Sequence, residues 1–455
     1  MKLEEKFLLI ILNFLAIFAG LLAVNIGGMS IGYIYIYSIL INLLCLYKIY
    51  SLTETYLWFL LSYLLLFYVA RVFDIFFEDI LSVDNYYLNI YDILNITCIH
   101  IFNICYLILF RKTNNNYKIE VDYKRFKLVN TIFLIGCLSS SILMFVSVGG
   151  FSAIGSSRVD LKYVSGSKII ALWLSYFFSI HFFLITLYIK KITNNVFVWI
   201  VFILYVLSID FIYMIALRNR TMFLLHFLMI IFALVFSSKF LIKKNNYINE
   251  FKKNIKKIKI FKLMFLFSIL GMLAVYVRFA RGVYFETADK IEISMKDMLM
   301  LSIQNGDIGY TTTVLEVLYY MESNNIYLNG QSYYRLLGVI IPDFIWINKP
   351  PTTDSLIGQA LTGLDVQTIP PGIFGDAFLN FRYWGILLFI IYGAIFALVD
   401  SSKKMYFKIG FFSLSFVMIF HFVRGSFVNV IFSIVLMIMG IIFSKYLMKL
   451  KVNEY

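Results

Sequence analysis

The feature that most constrains this chain is a series of apolar runs, each about 20 residues long, that recurs along most of the sequence. A helix of that length crosses the hydrocarbon core of a bilayer and pairs every backbone N–H and C=O within the segment. Hydrophobic residues make up 61% of the chain, which is more apolar side chain than one soluble core can enclose. The sequence therefore predicts an all-α polytopic membrane protein.

We predict about 12 transmembrane helices. The predicted spans are 7–24, 31–47, 56–77, 90–110, 128–148, 168–189, 196–216, 221–242, 261–279, 385–400, 408–423 and 427–445. Because an even number of spans returns the chain to its starting side, both termini are expected on one face. We expect no cleavable signal peptide, since the first apolar run is long enough to cross the membrane.

One long segment, from Gly282 to roughly Trp384, cannot lie in the bilayer as a simple span. It contains all five prolines of the chain: Pro342, Pro350, Pro351, Pro370 and Pro371. A loop of this size with turn-forming residues is usually functional. It divides the chain into a membrane domain with spans 1 to 9 (1–281), the loop with short amphipathic helices (282–384), and a membrane domain with spans 10 to 12 and a tail (385–455). One loop helix is expected near Thr313 to Met321, with Glu316 available to a site.

The basic residues orient these elements. Lysines and arginines concentrate in 111–127, 239–262 and the C-terminal tail, which the positive-inside rule assigns to the cytoplasm. Both termini are then cytoplasmic and the long loop is external. This distribution accounts for the net charge of +14, so a nucleic-acid partner is not expected.

Arginine and lysine are distributed differently between the cytoplasmic and external faces of the membrane. By this topology 24 of the 29 lysines are cytoplasmic, whereas nine of the 11 arginines lie on or near the external side. The guanidinium group binds phosphate or carboxylate with two parallel hydrogen bonds, so the external face is predicted to hold an anion. The candidate anion ligands are Arg158, Arg218, Arg220, Arg278, Arg281, Arg335, Arg382 and Arg424. For any single arginine, contact with lipid phosphate or a nearby acid is the alternative. We expect Arg71 to form a structural pair with Asp74.

Other ionisable residues lie inside the predicted spans. His100 and His181 are expected to hydrogen-bond neighbouring helices, and Asp210 requires a partner, for which Arg218 or Arg220 are candidates. His421 is the histidine best placed for chemistry. The four cysteines lie in apolar runs without metal-type spacing, and the sequence contains no glycine-rich phosphate loop and no Asp-x-Asp pair. No metal and no cofactor is expected.

Three segments carry a resemblance to a known family. They are Gly149 to Arg158 after a span, Leu217 to Thr221 at the head of a helix pair, and the late loop with 341–351 and the closing 375–385. This pattern resembles the Wzy-type polymerases of bacterial O-antigen and capsule oligosaccharide repeat units. Relatives commonly have Glu where this chain has Asp376, and Gly where it has Arg382.

The resemblance implies a glycosyltransferase-like membrane architecture of the GT-C kind in the bacterial inner membrane, with its site at the periplasmic face. Such enzymes transfer a growing glycan from undecaprenyl diphosphate to a sugar hydroxyl of the next lipid-linked unit, without metal or nucleotide. The arginines would hold the diphosphate, and Asp376, Glu316 or His421 would act as the base. A chain-length regulator and a flippase of the same pathway are the implied protein partners, beside membrane lipids.

Two other functions remain open from the sequence. An O-antigen ligase would share the architecture and the arginine pattern. A flippase or exporter of lipid-linked oligosaccharide is the non-enzymatic alternative, although no internal repeat of the kind common in transporters is visible. A purely structural scaffold would leave the separation of arginine from lysine unexplained.

Overall fold

The computed structural model describes residues 3–49, 54–77, 85–111, 117–153, 166–193, 195–217, 221–237, 240–243, 311–338, 352–363, 369–402, 421–425, 427–449 and 451–454, together with residues 341, 346, 348, 350 and 419. Within this part of the chain, nine segments are long and apolar enough to cross a membrane. Apart from one small sheet, the ordered elements are helices. The protein is therefore a polytopic helical membrane protein.

In chain order, the helices are α1 (Leu3–Ile26), α2 (Met29–Ile49), α3 (Thr55–Tyr63), α4 (Val69–Phe77), α5 (Asn85–Leu109), α6 (Tyr123–Ser147), α7 (Gly166–Phe178), α8 (Ile180–Tyr188), α9 (Val196–Leu217), α10 (Thr221–Phe236), α11 (Thr311–Asn324), α12 (Gln331–Tyr334), α13 (Thr353–Thr362), α14 (Ile373–Phe381), α15 (Leu387–Asp400) and α16 (Phe427–Met448). Wider π-helical turns, Leu64–Tyr68 and Ile189–Thr193, follow α3 and α8. Tighter 3₁₀ turns occupy Gly150–Ala153, Arg335–Gly338 and Arg382–Ile386.

The helices form two bundles. In the first bundle, α5 packs against α1 and α15 and also contacts α2. Gly393 on α15 permits a close approach, because a Cβ at this position would lie 2.7 Å from the carbonyl oxygen of Phe102 on α5. The second bundle contains α6 to α10 and α16, and its outward faces carry exposed apolar side chains, such as Leu204 and Phe211 on α9, that suit contact with lipid.

A three-stranded sheet joins segments that are far apart in the sequence. Its strands are β1 (Tyr117–Asp122), β2 (Phe240–Lys243) and β3 (Lys451–Glu454), in the order β2-β1-β3. The central strand pairs with β2 in parallel and with β3 in antiparallel orientation. All three strands come from segments that the basic-residue pattern assigns to one face of the membrane. The sequence did not predict this sheet.

The described part of the long loop folds onto the first bundle. Helix α11 packs against α5 and the π turn Leu64–Tyr68. A π turn leaves a carbonyl without its usual helical partner, and here the hydroxyl of Tyr91 donates to the carbonyl oxygen of Phe67 at 2.9 Å. The same hydroxyl lies 2.9 Å from the hydroxyl of Thr311, the first residue of α11. The widened turn thereby provides a polar docking point for the loop.

Most predicted spans that fall on described residues coincide with helices. Span 221–242 is an exception, because α10 ends at Phe236 and 240–243 pair with β1 as a strand. Span 261–279 and most of span 408–423 lie outside the described residues. The loop helix expected near Thr313 to Met321 is present as the longer helix α11.

The apolar stretch Ile373–Asp400 is long enough to cross a membrane, but it is not one straight helix. Helix α14 ends at Phe381, and the next residue, Arg382, has φ +53° and ψ −139°. Gly385 then packs directly on the backbone of Ala377, and an added Cβ would overlap the Ala377 carbonyl. The chain therefore turns back at this point, and α15 begins at Leu387 as a separate helix.

Candidate functional site

The candidate site is organised around Asp376 in the first turn of α14. The preceding Gly372 has φ +74° and ψ +156°, a conformation that suits glycine, and a Cβ there would come within 3.1 Å of Phe67 and Val314. This close fit sets α14 against both α11 and the π turn. Asp376 itself is 1% exposed.

Hydroxyl groups from two other helices meet at the Asp376 carboxylate. The Thr353 hydroxyl, at the start of α13, donates to Oδ1 at 2.7 Å, and the Tyr333 hydroxyl on α12 donates to Oδ2 at 3.0 Å. The Tyr333 and Tyr392 hydroxyls lie 2.7 Å apart, which connects the cluster to α15. Asn380, one turn further along α14, contributes its amide at 3.3 Å from Oδ1. One carboxylate thus holds α12 and α13 against α14, and the Tyr333 hydroxyl connects this cluster to Tyr392 on α15.

The phenol of Tyr333 acts in this cluster as a hydrogen-bond donor. Burial, together with the neighbouring Asp376 and Tyr392, raises the pKa of Tyr333 well above its usual value. The phenol therefore keeps its proton at physiological pH. A hydroxyl-lined carboxylate of this kind is suited to accept a proton if a substrate hydroxyl replaces one of its present donors.

Residues 421–425 reach the same helix start. A Cβ at Gly425 would lie 3.8 Å from Oδ2 of Asp354, the buried neighbour of Thr353, and 3.7 Å from Cβ of Pro370. The half-buried side chains of His421 and Arg424 belong to this segment. The segment that contains His421 therefore meets the start of α13, the same helix end from which Thr353 contacts Asp376.

Glu316 lies elsewhere on the loop. The face of α11 that packs on the bundle carries buried apolar side chains, among them Val314, Leu315 and Leu318, and Glu316 is exposed on the other side. Partial withdrawal of its carboxyl from solvent raises the pKa of Glu316. The structure gives no hydrogen bond between Glu316 and the Asp376 cluster in the described part of the chain.

Three of the eight candidate arginines lie in the described residues. Arg335 donates to the carbonyl oxygen of Pro350. The Arg382 guanidinium carbon lies 3.8 Å from the ring centroid of Tyr327, and Arg424 is half-buried in 421–425. Burial and the hydrogen bond from Tyr327 to Glu322, 2.9 Å long, raise the pKa of Tyr327 to about 12. The remaining candidates lie outside the described residues: Arg158, Arg218, Arg220, Arg278 and Arg281.

Arg382 has an unusual backbone conformation for its residue type. Its positive φ is a conformation that glycine adopts without strain. In this chain the turn is made by an arginine whose guanidinium stacks on Tyr327. The chain direction at this turn therefore does not depend on glycine.

The predicted pair of Arg71 and Asp74 is confirmed, and a second acid joins it. Arg71 contacts Asp74 and also binds Asp92 on α5 through two parallel hydrogen bonds, Nε to Oδ1 at 3.0 Å and Nη2 to Oδ2 at 2.8 Å. All three side chains are buried. The role of Asp92 was missed, although an acid inside an apolar run was the available signal. This triad fixes α4 against α5, and its two carboxylates occupy the Arg71 guanidinium group.

Two of the buried histidines differ in their contacts. His100 is hydrogen-bonded at both ring nitrogens, to Asn13 Oδ1 at 2.6 Å and Ser38 Oγ at 2.7 Å, which confirms the expectation for it. His181 has no hydrogen-bond partner at either ring nitrogen in the described structure, so the expectation for it was wrong.

Asp210 is paired with His226, a partner that the sequence did not predict.

Comparison of the chain with protein families, curated proteins and solved structures finds no match.

Proposed function

We propose that this protein polymerises lipid-linked oligosaccharide repeat units at the periplasmic face of the bacterial inner membrane. In this reaction a growing glycan moves from undecaprenyl diphosphate to a hydroxyl of the incoming lipid-linked unit. The observation that carries the proposal is the Asp376 cluster, in which a buried carboxylate from the family-like closing motif contacts hydroxyls of two loop helices. The external arginines are the second support, because the leaving group is a diphosphate.

The proposed chemistry is one displacement with a general base. The acceptor hydroxyl approaches Asp376 in place of the Thr353 or Tyr333 hydroxyl and gives its proton to the carboxylate. The new bond forms between the acceptor oxygen and the anomeric carbon of the growing glycan. The bond from that carbon to the diphosphate oxygen breaks, and the electron pair leaves with the diphosphate. Arginine side chains stabilise the charge that develops on the leaving group.

In this proposal the arginines act both from helix ends and from loops. Arg218, Arg220, Arg278 and Arg281 are assigned to the diphosphate from helix ends, and Arg158 or Arg335 contacts it from a loop. Arg424 lies beside α13, and Arg382 lies at the end of α14, so both stand near the helices that hold Asp376. A chain-length regulator and a flippase of the same pathway are the proposed protein partners.

The decisive experiment is the pattern of surface glycan in cells that lack the protein. A polymerase is supported if the acceptor carries a single repeat unit and the long ladder returns with the wild-type chain. Absence of glycan on the acceptor, with long chains retained on the lipid carrier, would show a ligase instead. Accumulation of lipid-linked units on the cytoplasmic side would show a flippase.

A further inference from the structure

A second polar centre lies inside the second bundle, where neither the resemblance nor the proposed reaction assigns a role. Asp210 on α9 and His226 on α10 are both buried, and Oδ1 of the acid lies 2.6 Å from Nδ1 of the imidazole. His181 on α8 lies in the same core. The ring of His181 is 5.8 Å from the ring of Tyr205, which lies on α9 like Asp210.

Several polar atoms of this centre lack a protein partner. Oδ2 of Asp210 and both ring nitrogens of His181 are buried without a hydrogen bond in the described structure. The exposed fractions of Asp210 and His181 are 5% and 0%. Buried polar atoms in native proteins are nearly always satisfied, and where the protein provides no partner, an internal water usually does. These atoms therefore point to bound water between the helices.

The surroundings contain few other ionisable groups. Cys137 on α6 and Tyr205 on α9 face Asp210, and the Tyr213 ring lies 5.8 Å from the ring of His226. The Tyr213 hydroxyl is occupied by serines of α6 and α7. Among the described residues, His226 is the only one that forms an ion pair with Asp210. The centre is thus a small polar cluster of one carboxyl and two imidazoles.

Metal binding explains the centre less well than protons do. The described residues contain no group of three His, Cys, Asp or Glu side chains that is suited to hold a metal ion. A carboxylate oxygen and an imidazole nitrogen are proton acceptors that a water molecule can connect. Ionisable residues in the interior of membrane bundles commonly belong to proton or ion pathways.

We propose that Asp210, His226 and His181 form a hydrated proton-exchange site inside the second bundle. A water bound to Oδ2 of Asp210 passes a proton between the carboxylate and bulk water, and the carboxylate passes it to His226. His181 supplies the remaining ring nitrogens to the same water cluster. This site is independent of the polymerase proposal, since neither the glycan nor the diphosphate takes part.

The chain offers an internal control, because it contains only four histidines. His100 is buried like His181, but both of its ring nitrogens are occupied by protein groups. The experiment uses the full-length protein in lipid nanodiscs, with histidine labelled by ¹⁵N and ¹³C. Water-edited NMR measures contact of each ring with water, and transfer into D₂O measures exchange of the ring N–H protons. Single histidine substitutions assign the four ring signals.

We expect water contact at His181 and His226 but not at His100, and ring N–H exchange at His226 at least about tenfold faster than at His100. Asp210→Asn should keep the water contact, because an amide still binds water, and should slow exchange at His226 to the rate at His100, because an amide does not relay protons. Asp122→Asn, at the N-terminus of α6, is the matched control and should change neither value.

The proposal would be overturned if, in the wild type, the rings of His181 and His226 had as little contact with water as the ring of His100 and exchanged their N–H protons as slowly. It would also fail if Asp210→Asn exchanged as fast as the wild type. The wild-type comparison needs no variant, so a failure of Asp210→Asn to fold leaves the test decisive.

Discussion

At the scale of single residues, Asp376 is both a structural link and the proposed base. Among the described residues, side chains of α12, α13 and α14 donate to it, and the Tyr333 hydroxyl extends the link to α15 through Tyr392. An amide of the same shape keeps one acceptor oxygen, and a neighbouring hydroxyl can rotate to accept from its NH2 group. A carboxylate that only held the loop would therefore tolerate this replacement. A carboxylate that takes a proton would not.

We expect Asp376→Asn to lower polymer synthesis by about a hundredfold to ten-thousandfold, the usual contribution of a general base. The measurement is the rate of glycan transfer by the purified protein with lipid-linked repeat units. Glu322→Gln changes another carboxylate of the same loop, which bonds to Tyr327, and is the control. Normal transfer by Asp376→Asn, with a large loss in His421→Gln or Glu316→Gln, would move the base to that residue.

A second prediction separates substrate binding by arginine from anchoring to lipid. Replacing Arg278 or Arg281 by Lys keeps the charge but removes the two parallel hydrogen bonds of the guanidinium group. The transition state should lose about 1.5–3 kcal/mol of stabilisation, which lowers the transfer rate roughly ten- to a hundredfold. Protein level should stay normal, because Lys serves lipid contact equally well. Lys257→Arg and Lys259→Arg are the controls and should leave polymer length unchanged. Normal polymer in both arginine variants would place the diphosphate site elsewhere.

At the scale of elements, the turn between α14 and α15 depends on an unusual backbone conformation. Arg382 has φ +53°, which costs an ordinary residue more than it costs glycine. The stacking of its guanidinium on Tyr327 offsets part of that cost. Replacement of Arg382 by Gly and by Ala separates the two effects. Both substitutions remove the stacking guanidinium group, but only glycine adopts the positive φ without strain.

We expect Arg382→Gly to be more stable than Arg382→Ala by about 1 kcal/mol or more, since only glycine adopts this conformation freely. Thermal unfolding of both variants in the same detergent gives the comparison. Equal stability would mean that the turn relaxes to a negative φ when the arginine side chain is lost.

Helices α4 and α5 are joined by the buried triad of Arg71, Asp74 and Asp92. Removal of the arginine leaves two buried carboxylates without their partner, so Arg71→Met should destabilise the protein by about 3–5 kcal/mol. The measurement is the unfolding free energy in detergent, with Lys48→Met, which breaks the more exposed pair with Glu5, as control. A loss in Arg71→Met no larger than that in Lys48→Met would contradict the structural role of the triad.

At the scale of the whole molecule, the small sheet brings together three distant segments at one end of the helices. The strands β1, β2 and β3 belong to the regions richest in lysine and arginine. A sheet does not form across a bilayer, so this pairing supports the proposed topology, which puts the three segments on one face. The proposed orientation puts this face in the cytoplasm and the long loop on the opposite side.

Labelling of engineered cysteines with a membrane-impermeant reagent tests the orientation. In intact cells we expect modification at positions 289, 330 and 365 and protection at 115 and 254. The free cysteines of the chain lie in helices, three of them buried and Cys105 half-buried, and a protein without added cysteine gives the background. Labelling at 254 with protection at 330 would reverse the orientation and remove the external site.

The sequence by itself determined the helical membrane class, most helix positions, the pair of Arg71 and Asp74, and the existence of α11. Each of these follows from local information, because hydrophobic length and i,i+3 spacing act within one segment. The sheet was missed because its short strands gain their pairing from residues more than 100 positions apart.

Only the tertiary structure decided which polar side chains meet. Asp92 joins Arg71, His226 joins Asp210, and Thr353 and Tyr333 join Asp376, each across different elements. Such contacts depend on how each helix is rotated about its axis and how closely its neighbours approach. The apolar runs here are hydrophobic on nearly all sides, so periodicity does not reveal that rotation. Packing between the helices sets it.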